Sequence, residues 1–224
     1  MAKKAAGSWS DAPDRTAKNA AHLEALETTP SKGATLITLP KLDVRRLNVR
    51  IVGDSELIVH HWSAKAIKEM LNKQMGVATA GKEKKDPHQD YLDSLYPYPG
   101  GGYGFPAIAF KNAAVEACTS LGKSVTKVAA RQAFHVMAEL VKIKGEPRMR
   151  EDMVRIGMSK TADIRYRAGF KEWETTVAIR YNARALTDEQ ILNLLNTAGF
   201  AVGVGEWRSE RDGSYGLFHV ESTK

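Results

Sequence analysis

The sequence predicts an α+β fold in which an antiparallel sheet carries its helices on one face. Two observations predict it. Residues 45–52 and 173–181 alternate apolar and polar side chains with the period of two that a half-buried strand requires. Each is followed by a helical pattern, over residues 63–75 and 187–199, so the chain contains two β–α units. Two such units pack as a ferredoxin-like sheet with both helices on one face and the other face free.

Leu47, Val49 and Ile51 form the apolar side of the first strand, and Arg46, Asn48 and Arg50 its polar side. Gly53-Asp54 makes a turn, Leu57-Ile58-Val59 resumes an extended run, and Ser63 caps a helix with Ile67, Met70 and Leu71 on one face. Residues 76–104 read as an irregular loop, charged over 82–85 and rich in glycine and aromatic residues over 96–104. Pro106 opens an Ala-rich helix that runs to about residue 121, and residues 123–131 suit a second short helix. Residues 134–143 read as one largely buried strand, followed by an Arg-rich segment over 148–167. In the last unit Thr187 and Gln190 make a capping box, Ile191, Leu192, Leu194 and Leu195 form the buried stripe, and Gly199 is expected to stop the helix. A turn at Asp212-Gly213 leads to a final strand over 217–220.

The expected organisation is a flexible N-terminal arm over 1–40 and a single α+β domain over 41–224, with an insertion at 76–105. The arm is rich in small and polar residues and includes one short helical stretch near residue 20. No apolar run has the length of about 20 residues that a membrane-spanning helix needs, and no apolar signal core follows Lys3 and Lys4. These features point to a cytoplasmic protein without membrane contact. The single cysteine, Cys118, excludes an internal disulfide and a cysteine-based zinc cluster, and reads as a buried helical thiol. No P-loop, HExxH motif or paired-carboxylate cluster is present, so no cofactor or metal is expected.

The net charge of +7 favours a polyanionic partner. Residues 142–184 hold eleven basic against six acidic residues, so most of the excess lies in one stretch. A charge dispersed for solubility would not concentrate in this way.

The first strand with its Gly53-Asp54 turn, and the run Gly199-Phe200-Ala201-Val202-Gly203-Val204-Gly205-Glu206-Trp207-Arg208 with Gly213-Ser214-Tyr215-Gly216-Leu217-Phe218-His219-Val220, resemble the repeat-associated mysterious protein (RAMP) superfamily. These are the RNA-recognition-type, ferredoxin-like folds of CRISPR backbone and processing proteins. The second run is similar to the superfamily's glycine-rich loop, and the chain also resembles bacteriophage accessory proteins with this type of sheet. The resemblance implies a nucleic-acid-binding subunit that assembles side by side with its copies along a single strand. In the superfamily's processing branch, a histidine near the position of His60 and His61 acts as general base in metal-independent RNA cleavage.

Several residue groups are candidates for contact with a strand. Arg46, Asn48 and Arg50 stand on the face left free. Arg148, Arg150, Arg155, Arg165 and Arg167, with Tyr166 between two of them, suit phosphate pairing and base stacking, and Arg208 joins them from the C-terminal loop. Arg165 and Arg167 share one face of a short strand. Tyr103, in an aromatic stretch with Tyr96, Tyr98 and Phe105, can stack on bases or anchor its own loop. Gly199, Gly203, Gly205, Gly213 and Gly216 can admit phosphates to backbone amides, or can serve only a helix stop and a tight hairpin. His60 or His61 with Lys65 could supply acid/base chemistry, or be a plain strand-end pair.

The expected function is a non-catalytic protein that binds single-stranded DNA or RNA and forms homo-oligomers on it. A metal-independent endoribonuclease is the first alternative. An assembly component or inhibitor acting on a CRISPR complex is the second.

Overall fold

The structure, a computed structural model, describes residues 39–77, 84–122, 124–156, 158 and 161–221. The expected arm over 1–40 therefore lies outside the described residues except for its last two positions, and Lys82 lies outside them as well. The chain divides into Met1–Lys41 and Leu42–Lys224, and every element below belongs to the second unit.

In chain order, β1 (Val44–Gly53) and β2 (Leu57–Val59) precede helices α1 (Ala64–Gln74) and α2 (Pro87–Asp93). The hairpin strands β3 (Tyr96–Pro97) and β4 (Tyr103–Pro106) lead to helices α3 (Ile108–Ala117) and α4 (Lys127–Ala133). Strands β5 (Phe134–Val136) and β6 (Leu140–Ile143) are followed by a long ribbon, β7 (Pro147–Ile156) and β8 (Thr161–Phe170). The chain closes with β9 (Glu174–Asn182), α5 (Asp188–Ala201) and β10 (Phe218–Val220).

The central sheet has the order β10-β1-β9-β5, with every pairing antiparallel. With β1, β5, β9 and β10 as its four strands, α3 after the first and α5 after the third, this is the ferredoxin-like order expected. Val49, Ile51, Phe134, Val177, Ile179, Tyr181 and Phe218 face the helices and are buried. From α3 they meet Phe110, and from α5 Ile191, Leu194 and Leu195. Edge-to-face rings tie the layers together: Phe110 lies 5.6 Å and Trp173 6.4 Å from Phe218. Cys118 is buried at the end of α3.

Four expectations change. The helix that completes the first β–α unit is α3, not α1. The helix α1 forms where Ser63 accepts the Ala66 amide proton, yet none of its residues is buried, and Ile67, Met70 and Leu71 stay exposed. Helix α3 is apolar on most sides, and that composition fits it for the core. Secondly, the described part of the expected irregular stretch, residues 84–104, holds a short helix and a hairpin. Asp86 caps α2 by accepting from His88 and Gln89, and three consecutive glycines with positive φ, Gly100 to Gly102, turn β3 into β4. Thirdly, residues 134–143 are two strands in different sheets, because β5 pairs with β9 and β6 pairs with β4.

Fourthly, α5 begins at the expected capping box but does not stop at Gly199; it continues to Ala201. Gly199 is a point of closest approach, where an added Cβ would overlap the Phe218 carbonyl. The left-handed turn comes later, at Gly203 with φ 72°.

The glycine-rich segment that follows straps the start of the chain. Gly216 N–H donates to Glu56 O at 2.9 Å, Glu206 N–H to Ile58 O at 3.0 Å, and Asp54 N–H to Leu217 O at 2.8 Å. This fixes Glu56, which is 8% exposed, against the ribbon. Arg148 grips it with both Nε and Nη2, at 2.8 and 2.9 Å, and Arg150 also donates to it and to Asp152. Arg150 in turn lies over the Tyr215 ring at 5.0 Å. Burial alone would raise the Glu56 carboxyl, but the Arg148 and Arg150 guanidiniums outweigh it and hold the group below the usual carboxylate range.

Two outcomes follow. In a helix interior Ala is favoured over Gly by about 1 kcal/mol. At Gly199 the new methyl meets backbone that cannot yield, and overpacking of this kind costs about 1–3 kcal/mol or more. Gly199→Ala should therefore destabilise in urea unfolding, while Phe200→Ala, at a position 83% exposed, should stay within about 0.5 kcal/mol of wild type. Because the folded Glu56 carboxyl lies below its unfolded value of about 4.3, its contribution is full above that pH and is lost as pH falls through the lower folded value. Glu56→Gln should cost about 3 kcal/mol at pH 7, and the gap to wild type should close on acidification below about pH 4.3. A gap that stays constant down to pH 3 would contradict the network.

Candidate nucleic-acid interface

Among the described residues, no helix lies on the outer side of the four-stranded sheet. Antiparallel register sets its residues in rows. Arg46 lies directly opposite Arg180, which lies opposite His135, so three strands contribute one basic row. Among the described residues neither Arg46 nor Arg180 has an ion-pair partner, and both are exposed. Like charges directly opposite each other weaken a β pair unless an anion lies between them. Lys111 Nζ lies 3.1 Å from His135 Nδ1 and adds a further cation at this edge.

The next row holds Asn48 opposite Ala178, an exposed amide beside a small, half-buried floor. The third holds Arg50, whose guanidinium pairs with Glu174 and Glu221. Lys144 also bonds Glu174 at 2.7 Å, and Lys144 and Arg50 together hold that carboxyl below its ordinary value. The face is thus neutralised at the Arg50 end and cationic at the Arg46 end. Beyond Arg180 a cavity of ≈ 340 Å³ is lined by Leu42, Val44, Met137 and His135. Leu42, Val44 and Met137 are all exposed, which gives apolar surface beside the guanidiniums.

The ribbon residues group differently. Register puts Arg150 opposite Arg167 and Arg165 opposite Asp152, so these side chains and Arg148 share one ribbon face, turned toward Glu56 and the C-terminal loop. Arg148 and Arg150 hold Glu56, as described. Arg167 is 3% exposed beneath Trp207, 5.9 Å from its ring centre. Arg165 is partly exposed, Tyr166 half-buried and Arg155 exposed toward the ribbon's far end. Arg165, Tyr166 and Arg167 line a cleft of ≈ 230 Å³ that also takes in His60, His61 and Lys65. His60 Nδ1 lies 3.7 Å from Glu206, and His61 stands edge-on to Tyr96 at 4.7 Å.

Tyr103 sits apart from both groups, half-buried in β4 against Phe170 at 6.3 Å. Arg208 bonds Glu210 and the Gly205 carbonyl. The glycines have structural demands of their own. Gly205 and Gly216 have φ of 82° and 64°, and a Cβ on Gly213 or Gly216 would overlap the Trp207 or Val204 carbonyl.

Sequence reasoning selected Arg46, Asn48 and Arg50 but passed over Arg180 and His135. Arg180 stood in plain view on the polar side of its strand, and the antiparallel register supplies the missing signal. His135 was hidden inside an apolar run. Among the described residues no group of three or more His, Cys, Asp or Glu is placed to hold a metal ion, and no helix is long and apolar enough to cross a membrane.

No protein family and no curated protein sequence matches this chain. Among solved structures the chain is similar to Cmr6 from Pyrococcus furiosus, at 12% identity and a TM-score of 0.42, over 81% of this chain and 100% of that one. It is also similar to a chain of the Type III-B Cmr-beta assembly bound to cognate target RNA, at 9% identity and a TM-score of 0.44, over 96% of this chain and 67% of that one.

Proposed function

We propose that this protein binds single-stranded nucleic acid on the open face of its four-stranded sheet, and that copies line up side by side along the strand. The observation that carries the reading is the row Arg46–Arg180–His135, two unpaired guanidiniums and an imidazole brought level by register. Phosphates between them would relieve the mutual repulsion of the arginines. Leu42, Val44 and Met137 offer apolar contact for unstacked bases, and Asn48 offers an amide for their edges. An exposed sheet face suits a single strand, whose bases are free to lie on it.

Binding through phosphates makes affinity fall steeply with salt. Arg46→Ala with Arg180→Ala should weaken binding to all single-stranded sequences alike. The slope of log affinity against log salt should shrink by about 1.4, the loss of two phosphate contacts at about 0.7 each. An unchanged slope in fluorescence anisotropy would remove these residues from the interface. Size-exclusion chromatography with light scattering should show a mass step of several copies per oligonucleotide as the strand is lengthened.

The competing reading is cleavage, favoured by one observation: His60, His61, Lys65 and two arginines share a cleft. Labelled RNA incubated with the protein in EDTA should remain intact. Shortened products would replace the binding role with that of a metal-independent endoribonuclease.

A further inference from the structure

The cleft beside the ribbon is bordered by a buried cation whose hydrogen bonds the described residues leave incomplete. Arg167 forms part of its wall, yet the Nε and Nη1 atoms of this guanidinium have no hydrogen-bond partner among the described residues. Its nearest carboxylate, Glu206, stands at 3.7 Å, beyond hydrogen-bond distance and 41% exposed. Trp207 covers it on another side. A buried guanidinium without hydrogen-bonding counter-charge is costly, and burial depresses its proton affinity. Arg150, directly opposite Arg167 across the ribbon, shows the contrast, since two carboxylates serve it.

The opposite wall is the start of α1. Ser63, Lys65 and Ala66 of its first turn line the cleft, so the positive end of an 11-residue helix faces the space that Arg167 borders. Arg165, on the same ribbon face and more exposed, stands beside it, with its Nε 3.9 Å from Asp163. Three carboxylates also reach this cleft, and two already have donors. Asp163 is held by Lys85, and Asp93 accepts from Gln89 Nε2 at 2.7 Å, while Asp90 lies with Asp93 on α2. Glu206 and Asp152 lend Arg167 negative charge but no hydrogen bond, so the acceptor its Nε and Nη1 lack can come from a bound anion.

We propose that this cleft binds a phosphate monoester, with Arg167 and Arg165 on one wall and the N-terminus of α1 on the other. A tetrahedral dianion presents several acceptor oxygens at once, which suits convergent donors from two walls better than a carboxylate does. The volume of ≈ 230 Å³ accommodates a phosphate with part of a nucleotide. The group could reach the cleft as the terminal phosphate of a nucleic-acid strand or on a free nucleotide. The site is separate from the sheet face, and its case does not depend on that face binding a strand.

The test compares one oligonucleotide with a 5′-phosphate, a 3′-phosphate or hydroxyl ends, together with a 5′-mononucleotide and inorganic phosphate, all titrated against the full chain. A strand-end source predicts that one phosphorylated end binds about tenfold tighter than the hydroxyl strand. A free-nucleotide source predicts saturable mononucleotide binding and no preference among strand ends. In either case Arg167→Met, which fills the same space without the charge, should abolish the phosphate-dependent binding and leave the hydroxyl strand's affinity unchanged. Arg165→Ala, at a more exposed position, should weaken the same binding and gives the readout should Arg167→Met not fold. Equal affinity for all three strands, with no saturable binding of mononucleotide or phosphate, overturns the proposal. Loss of hydroxyl-strand binding alone would count against the sheet-face reading and leave the cleft standing.

Discussion

Among the described residues, the fold depends on the packing of helices against one side of the sheet. Helix α5 can lie close to β10 because Gly199 has no side chain to hold it away from the Phe218 carbonyl. That approach brings Ile191, Leu194 and Leu195 over the sheet, and Phe218 becomes the meeting point of rings from α3 and from Trp173. Both helices then lie on the inner face. Among the described residues the apolar side chains on the outer side, Leu42, Val44 and Met137, gather at one end and stay exposed. Elsewhere on that side alternation supplies Arg46, Asn48, Arg50, Thr176 and Arg180, and they remain in solvent. The open surface is thus a consequence of a period of two applied to strands with one buried side.

A second constraint governs the ribbon. The glycine-rich segment, which conformation and close contacts restrict to glycine at several points, holds residues 54–58 in place through backbone hydrogen bonds. Glu56 is thereby presented to Arg148 and Arg150, and these fix the ribbon against the body. Arg167 is buried as part of the same arrangement but receives no comparable carboxylate. The most basic stretch of the sequence is therefore mixed in purpose. Two of its arginines hold the fold together, and Arg165 and Arg167 border a cleft.

The amino-acid sequence made the strands β1 and β9, the capping box at Thr187 and the four-stranded scheme legible, because these rest on local periodicity and on caps a few residues long. It misassigned the first core helix for a physical reason. The polar/apolar alternation of α1 is the stronger helical pattern, whereas α3 is apolar on most sides and so shows little contrast between faces. Gly199 resembled a helix stop because local sequence cannot show that β10 will pass beside it. The open-face candidates Arg46, Asn48 and Arg50 were readable from one strand alone. Their partners Arg180 and His135 required the register, and the Glu56 clasp joins residues 92 positions apart.

On the function proposed above, the strand meets the sheet on the side away from α3 and α5, at its Arg46–Arg180 end. Photochemical cross-linking of a bound single-stranded oligonucleotide, with the attached peptides identified by mass spectrometry, tests this most directly. Cross-links are expected on the peptides that contain residues 42–50, 135–137 and 176–182. Cross-links confined to the glycine-rich segment 203–216, or to the outer surfaces of α3 and α5, would contradict that proposal.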